Sequence, residues 1–141
     1  MRYGAYIYVD GYDLHEVAPL LKRRLAEIAG RVSGVRVIDD RFERTPDLQP
    51  EDLPVWNLGL NFDLGAERAG LIRGVIESIR ALSEESGRDF AVGYYDRVLK
   101  MDEDIGFIES GTGGDNAVGI LLGLALNGEP GGPANAAPPH R

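Results

Sequence analysis

The chain contains no cysteine and only two histidines, His15 and His140. A disulfide framework, a thiolate nucleophile and a zinc-thiolate site are thereby excluded, and a reducing compartment is permitted. One histidine falls on the first helix turn and the other near the last residue, so a histidine-based triad or a multi-histidine metal site is hard to build. Basic residues are also scarce: 15 Lys and Arg stand against 23 Asp and Glu, for a net charge of -8 and a pI near 4.7. That sign repels phosphate backbones and removes the main term in nucleic-acid affinity, so no nucleic-acid partner is expected. Long apolar runs are missing too. The most apolar stretch, residues 118–126, falls well short of the roughly 20 residues that span a bilayer, and no membrane partner is expected. The opening residues Met1, Arg2, Tyr3 and Gly4 do not resemble a secretory leader, which predicts a cytoplasmic protein.

What is present points to a folded α+β chain. A length of 141 residues fits one domain, expected over residues 1–127, and suffices for a core without metals or disulfides. Glycine, at 19 of 141 residues, is about twice its usual share of roughly 7% and gathers in turns and in the last third. Residues 128–141, rich in Gly, Pro and Ala, have little to bury and are expected to be disordered.

Residues 3–10 alternate, with Ala5, Ile7 and Val9 on one side and Tyr6, Tyr8 and Asp10 on the other, the period-two signature of a strand. Asp13 and Glu16 match a capping box, and Leu14, Val17, Leu21, Leu25 and Ile28 give the following helix an apolar stripe up to Gly30. Pro19 lies too deep for a helix capped at Asp13, so the regular helix is expected to start nearer Ala18. Residues 35–44 read as a charged edge strand and residues 45–54 as a loop. Residues 55–62 read as a strand whose Trp56, Leu58, Leu60 and Phe62 share a face.

Asp63 is placed to cap a second helix, whose stripe runs through Leu71, Ile72, Val75, Ile76, Ile79 and Leu82 and ends at Gly87. Residues 89–96 form a fourth strand, in which Phe90, Val92 and Tyr94 alternate with Ala91, Gly93 and Tyr95. The order β-α-β-β-α-β predicts a ferredoxin-like split βαβ fold, an antiparallel sheet with both helices on one face, followed by a C-terminal hairpin and helix extension. Residues 98–101 and 105–108 then suggest a hairpin, or an extension of the last strand, around a tight acidic turn at Asp102, Glu103 and Asp104. Asp115 opens a final helix to about Leu126, although Gly119 and Gly123 each cost about 1 kcal/mol against alanine. This segment is apolar nearly all round and must be hidden in the protein or in a partner.

Asp102, Glu103 and Asp104 offer oxygen ligands of the kind calcium and magnesium take, but the fuller Asp-rich loop with its distant glutamate is missing. No metal or cofactor is expected. The preferred reading is an exposed acidic patch for a basic protein partner, with Tyr95 and Asp96 beside it and Glu109 at its other flank. Asp39, Asp40 and Glu43 make a second candidate edge. Gly111, Thr112, Gly113, Gly114 and Asp115 resemble the Gly-Thr-Gly-Gly-Asp phosphate loop of anthranilate phosphoribosyltransferases, in which backbone amides approach an anion at a helix start. The match covers those five residues and brings no second acidic motif, so the loop reads as a connector. Tyr6, Tyr8, Trp56, Tyr94 and Tyr95 suggest an aromatic sheet face. Its charge has the wrong sign for stacking RNA bases, and the last helix is expected to cover part of it, leaving the rest as a protein anchor. His15, beside Asp13 and Glu16, reads as a surface residue at a helix end.

The run from Val92 through Tyr94, Tyr95 and Asp96, across Met101, Asp102, Glu103 and Asp104, to Glu109 and Ser110 resembles the small immunity proteins of bacterial polymorphic toxin systems. The resemblance implies a cytoplasmic, non-enzymatic inhibitor that occludes the active site of a cognate protein toxin through an acidic surface. It brings no catalytic residues. The alternative is a small-molecule-binding or enzymatic domain using the aromatic face, Asp10 and the loop from Gly111 to Asp115. A homodimer built by packing sheets or apolar C-terminal segments is a third reading.

Overall fold

A computed structural model describes residues 1–11, 13–41 and 56–131. The elements run β1 (Tyr3–Val9), α1 (Ala18–Arg31), β2 (Arg36–Arg41), β3 (Trp56–Asp63), a 3-10 turn (Ala66–Arg68), α2 (Ala69–Ser86), β4 (Phe90–Asp96), β5 (Met101–Glu109), β6 (Thr112–Gly113) and α3 (Asp115–Asn127). All strand pairs are antiparallel, in the order β2-β3-β1-β4-β5-β6. The chain is thus α+β, with a six-stranded sheet and three α-helices among the described residues.

Strand alternation decides which face is covered. Ile7, Val9, Leu58, Leu60, Phe62, Phe90, Val92 and Ile108 point to one side and form a single core with Leu21, Leu25 and Ile28 of α1, Ile72, Val75, Ile76 and Ile79 of α2, and Val118, Leu121 and Leu124 of α3. Burying each such side chain contributes about 1.5–3 kcal/mol. With all three helices on that side, the opposite face, carrying Gly4, Tyr6 and Tyr8 of β1, has no helix layer among the described residues. The apolar segment 118–126 therefore serves the core of its own chain, and Leu126 alone of its large residues stays mostly exposed.

α1 begins at Ala18 and α3 at Asp115, as expected, but the helix caps differ from expectation. Asp13 caps nothing: a turn in which the Val17 and Ala18 amides donate to the Leu14 carbonyl precedes α1, and Pro19 sits in the first helical turn, where its missing N–H is harmless. Asp63 ends β3 instead of capping α2, because the Arg97 guanidinium holds its carboxylate at 2.7 Å. Gly114, not Asp115, is the N-cap of α3. Gly87 ends α2 as expected, at φ 69°.

The largest correction concerns the acidic turn. Asp102, Glu103 and Asp104 lie inside β5, and the turn is at residues 97–100. Asp96 sets it there: its carboxylate accepts from the Val98 and Leu99 amides at 2.9 and 3.2 Å, and Lys100 takes a φ of 54°. Residues 42–55, including Glu43 and the expected loop, and residues 132–141, most of the expected disordered tail, lie outside the described residues. The described start of that tail folds back on α3, where the Gly131 amide donates to the Ile120 carbonyl at 3.3 Å. A Cβ on Gly123 would strike the Gly131 backbone, so this helix glycine is kept for a close approach.

Candidate functional site

The open sheet face is built on tyrosine–glycine pairs. Tyr95 lies opposite Gly4, Tyr6 opposite Gly93, and Tyr8 opposite Gly59. Without a Cβ on Gly4 and Gly93, the Tyr95 and Tyr6 rings lie across the neighbouring strand; a methyl on either glycine would overlap the ring. Tyr6 and Tyr8 stack with centroids 5.1 Å apart and planes 27° from parallel. Arg97 sits 4.8 Å from the Tyr95 ring and donates to its hydroxyl at 3.0 Å.

Residues two apart share a strand face, so β5 divides its acids. Asp104 pairs with Gly93 and Asp102 with Tyr95, which puts both carboxylates on the tyrosine face. Glu103 pairs with Tyr94 and accepts from its hydroxyl at 2.9 Å on the helix side. On β2, Asp40 pairs with Asn57 and faces the tyrosines, whereas Asp39 points to the helix side. There it accepts from the Trp56 indole at 2.7 Å and from Lys22 at 3.1 Å. Those two partners, the indole hydrogen bond foremost, hold its carboxyl below the usual range.

The outcome is a shallow open depression of about 470 Å³ lined by Tyr6, Tyr8, Asn57, Tyr95, Asp102 and Asp104. Burial, then the hydrogen bond that the Tyr6 hydroxyl donates to Asp104, then the negative charges of Asp104 and Asp102, push the Tyr6 phenol far above its ordinary value. Tyr8 is raised mainly by burial, with Asp40 and Asp102 adding to it. The phenols thus remain neutral hydrogen-bonding groups in a negative field. Asp40, Asp102 and Asp104 form no ion pair with a lysine or arginine among the described residues, while Asp39, Asp63, Asp96 and Asp115 each do. Unpaired carboxylates ringed by aromatic faces suit recognition of a cation.

Of the predicted residues, the structure brings Tyr95, Asp102 and Asp104 together and adds Tyr6, Tyr8 and Asn57, while Asp40 shares the face from β2, with three strands between it and β5. It separates Glu103 and Asp39, which face the helices. Asp96 is withdrawn from any surface role: it is 4% exposed and holds Arg2 through two hydrogen bonds of 3.0 and 2.9 Å. The expected covering of the tyrosine face by α3 does not occur. Trp56 and Tyr94 point to the helix side, and Tyr6, Tyr8 and Tyr95 are left to the open face. Strict alternation would have separated the two aromatic sets in the sequence. The signal for the tyrosine–glycine pairs needs strand register and is not readable from one strand alone.

The loop from Gly111 to Asp115 is a separate place. Ser110 and Gly111, at φ 51° and 81°, make the two-residue turn of the β5–β6 hairpin. The Gly111 amide donates to Ser83 at 2.7 Å, and Arg80 donates to the Gly113 carbonyl at 2.8 Å and to Asp115 at 2.7 Å. Neither that loop nor Asp10 lines the tyrosine depression. Among the described residues, no cluster of three or more His, Cys, Asp or Glu side chains could hold a metal ion, and no helix is long and apolar enough to cross a membrane. No protein-family model matches the chain, and comparison with curated proteins and with solved structures gives no match.

Proposed function

We propose that the protein is a non-enzymatic binding protein, an immunity protein that neutralises a cognate bacterial toxin in the cytoplasm by laying an acidic, tyrosine-rich sheet face over the toxin's cationic active site. The observation that carries this reading is the placement of Asp102 and Asp104, which form no ion pair among the described residues, beside Tyr6, Tyr8 and Tyr95 on the face opposite the three described helices. Tyrosine supplies large contact area with a polar tip and is enriched where interface energy concentrates. Unpaired acids speed encounter with a basic surface. The architecture is read as the ferredoxin-like split βαβ, supported by the strand order β2-β3-β1-β4 with α1 and α2 between the strands they connect, and by β5, β6 and α3 as an extension.

The volume of the depression favours a second reading, a small-molecule binder, since it falls within the roughly 300–1,000 Å³ usual for ligand pockets. The Gly111 loop takes no part in that reading. Capture from the source cell separates the two. The first expects a basic protein whose own activity falls when the captured complex forms. Recovery of no protein partner, together with a small molecule that raises the melting temperature in proportion to its concentration, would sink it in favour of the second.

A further inference from the structure

The outer edge of β5 is, among the described residues, a strand-long row of backbone groups without a neighbouring strand. β5 has nine residues, and β6 pairs only with Ile108 and Glu109, so among the described residues positions 101–107 face no strand on that side. Met101, Asp102, Glu103 and Asp104 are all exposed, as is Phe107 at 45%. Seven extended residues span about 24 Å, enough to template a strand of ordinary length.

We infer that β5 is the docking edge for an extended, lysine- or arginine-bearing segment of the protein partner, which adds to the sheet as a further strand. This rests on the reading of the acidic face as a partner surface and specifies how the partner is held. Charge complementarity selects the occupant. Asp102 and Asp104 project to one face of the edge and Glu103 to the other, and none forms an ion pair among the described residues. A strand with basic residues at alternate positions would set them against Asp102 and Asp104, and a basic residue between them against Glu103. A second copy paired in register would bring carboxylates together, which disfavours self-association at this edge. The other edge strand, β2, does not offer the same match: it carries Arg36 and Arg41 with Asp39 and Asp40, and Asp39 is already held by Lys22 and Trp56. Strand addition supplies affinity through main-chain hydrogen bonds and leaves side chains to set specificity.

The test uses the full chain and two synthetic peptides: one alternating lysine and threonine, and the same peptide N-methylated at alternate residues, which keeps the charge and removes backbone donors. Amide exchange is followed at residues 101–107 and ring signals at Tyr6, Tyr8 and Tyr95. The expected result is slowed exchange at 101–107 with the first peptide and binding weaker by about tenfold or more with the second. Equal binding of both peptides, perturbing the tyrosines without protecting 101–107, overturns strand addition while the acidic face stands as a cation-binding surface. Failure of both peptides to bind overturns both. Slow exchange, in the free protein, of those amides of 101–107 that point away from β4 also overturns the inference. It assigns the edge to a second copy if protection grows with concentration, and to the chain's own remaining residues if it does not.

Discussion

Asp96 shows how one carboxylate can be mistaken for surface. It is buried, held by Arg2 and by the Val98 and Leu99 amides, and these hydrogen bonds, Arg2 foremost, draw its pKa down to about 2. A carboxyl depressed in the fold stabilises the protein above its unfolded value near 3.8, and this contribution is lost as pH falls through about 2. Replacing Asp96 with Asn should lower the melting temperature at neutral pH and shrink its fall between pH 4 and 2; an unchanged melting temperature would remove Asp96 from the turn. The tyrosines carry the opposite sign. Tyr6 and Tyr8 are raised by burial and neighbouring acids, so the fold favours their neutral form, and their contribution is present below pH 10 and lost as pH rises beyond it. A spectrophotometric titration should therefore show a late class of phenols that Tyr6→Phe diminishes. If Tyr6→Phe removed intensity from the earliest class instead, the buried, acid-bonded placement of Tyr6 would be wrong.

Among the elements, β5 was the hardest to read. Alternation in residues 90–95 was visible, as were the apolar stripe of α2 and its Gly87 stop, because each depends on spacing within one segment. The run Asp102, Glu103, Asp104 looked like a turn because acids are poor strand formers. Its true place depends on Asp96 binding backbone two and three residues on, and on a register shift between Val92 and Gly93, both of which involve contacts outside the run. The glycines of the open face were opaque for the same reason. Gly93→Ala should displace the Tyr6 ring, break its bond to Asp104 and cost about 1–3 kcal/mol as an overpacking change. Gly74→Ala, on α2 with nothing within 4 Å of the added methyl, should stabilise the chain by up to about 1 kcal/mol through helix propensity. Denaturant melts of the two variants check both signs; equal effects would show that the paired glycine has no special relation to Tyr6.

For the molecule as a whole, composition excluded thiol chemistry and argued against a nucleic-acid partner, but charge count alone could not say where the acids gather. The fold supplies that. It pairs Asp39, Asp63, Asp96 and Asp115 with local cations and places Asp40, Asp102 and Asp104 on the side of the sheet opposite the described helices. Because the open acids face solvent and hold no cation among the described residues, reversing their charge should leave stability nearly unchanged, within about 0.5 kcal/mol, while altering association. The most direct measurement is a titration of the captured partner into the wild-type protein and into Asp102→Lys/Asp104→Lys, at low and at high salt. The expected result is a one-to-one complex that the double variant weakens by about tenfold or more, with the difference shrinking as salt screens the pairs. Equal affinity of the two proteins at low salt, with both fully folded, would contradict it.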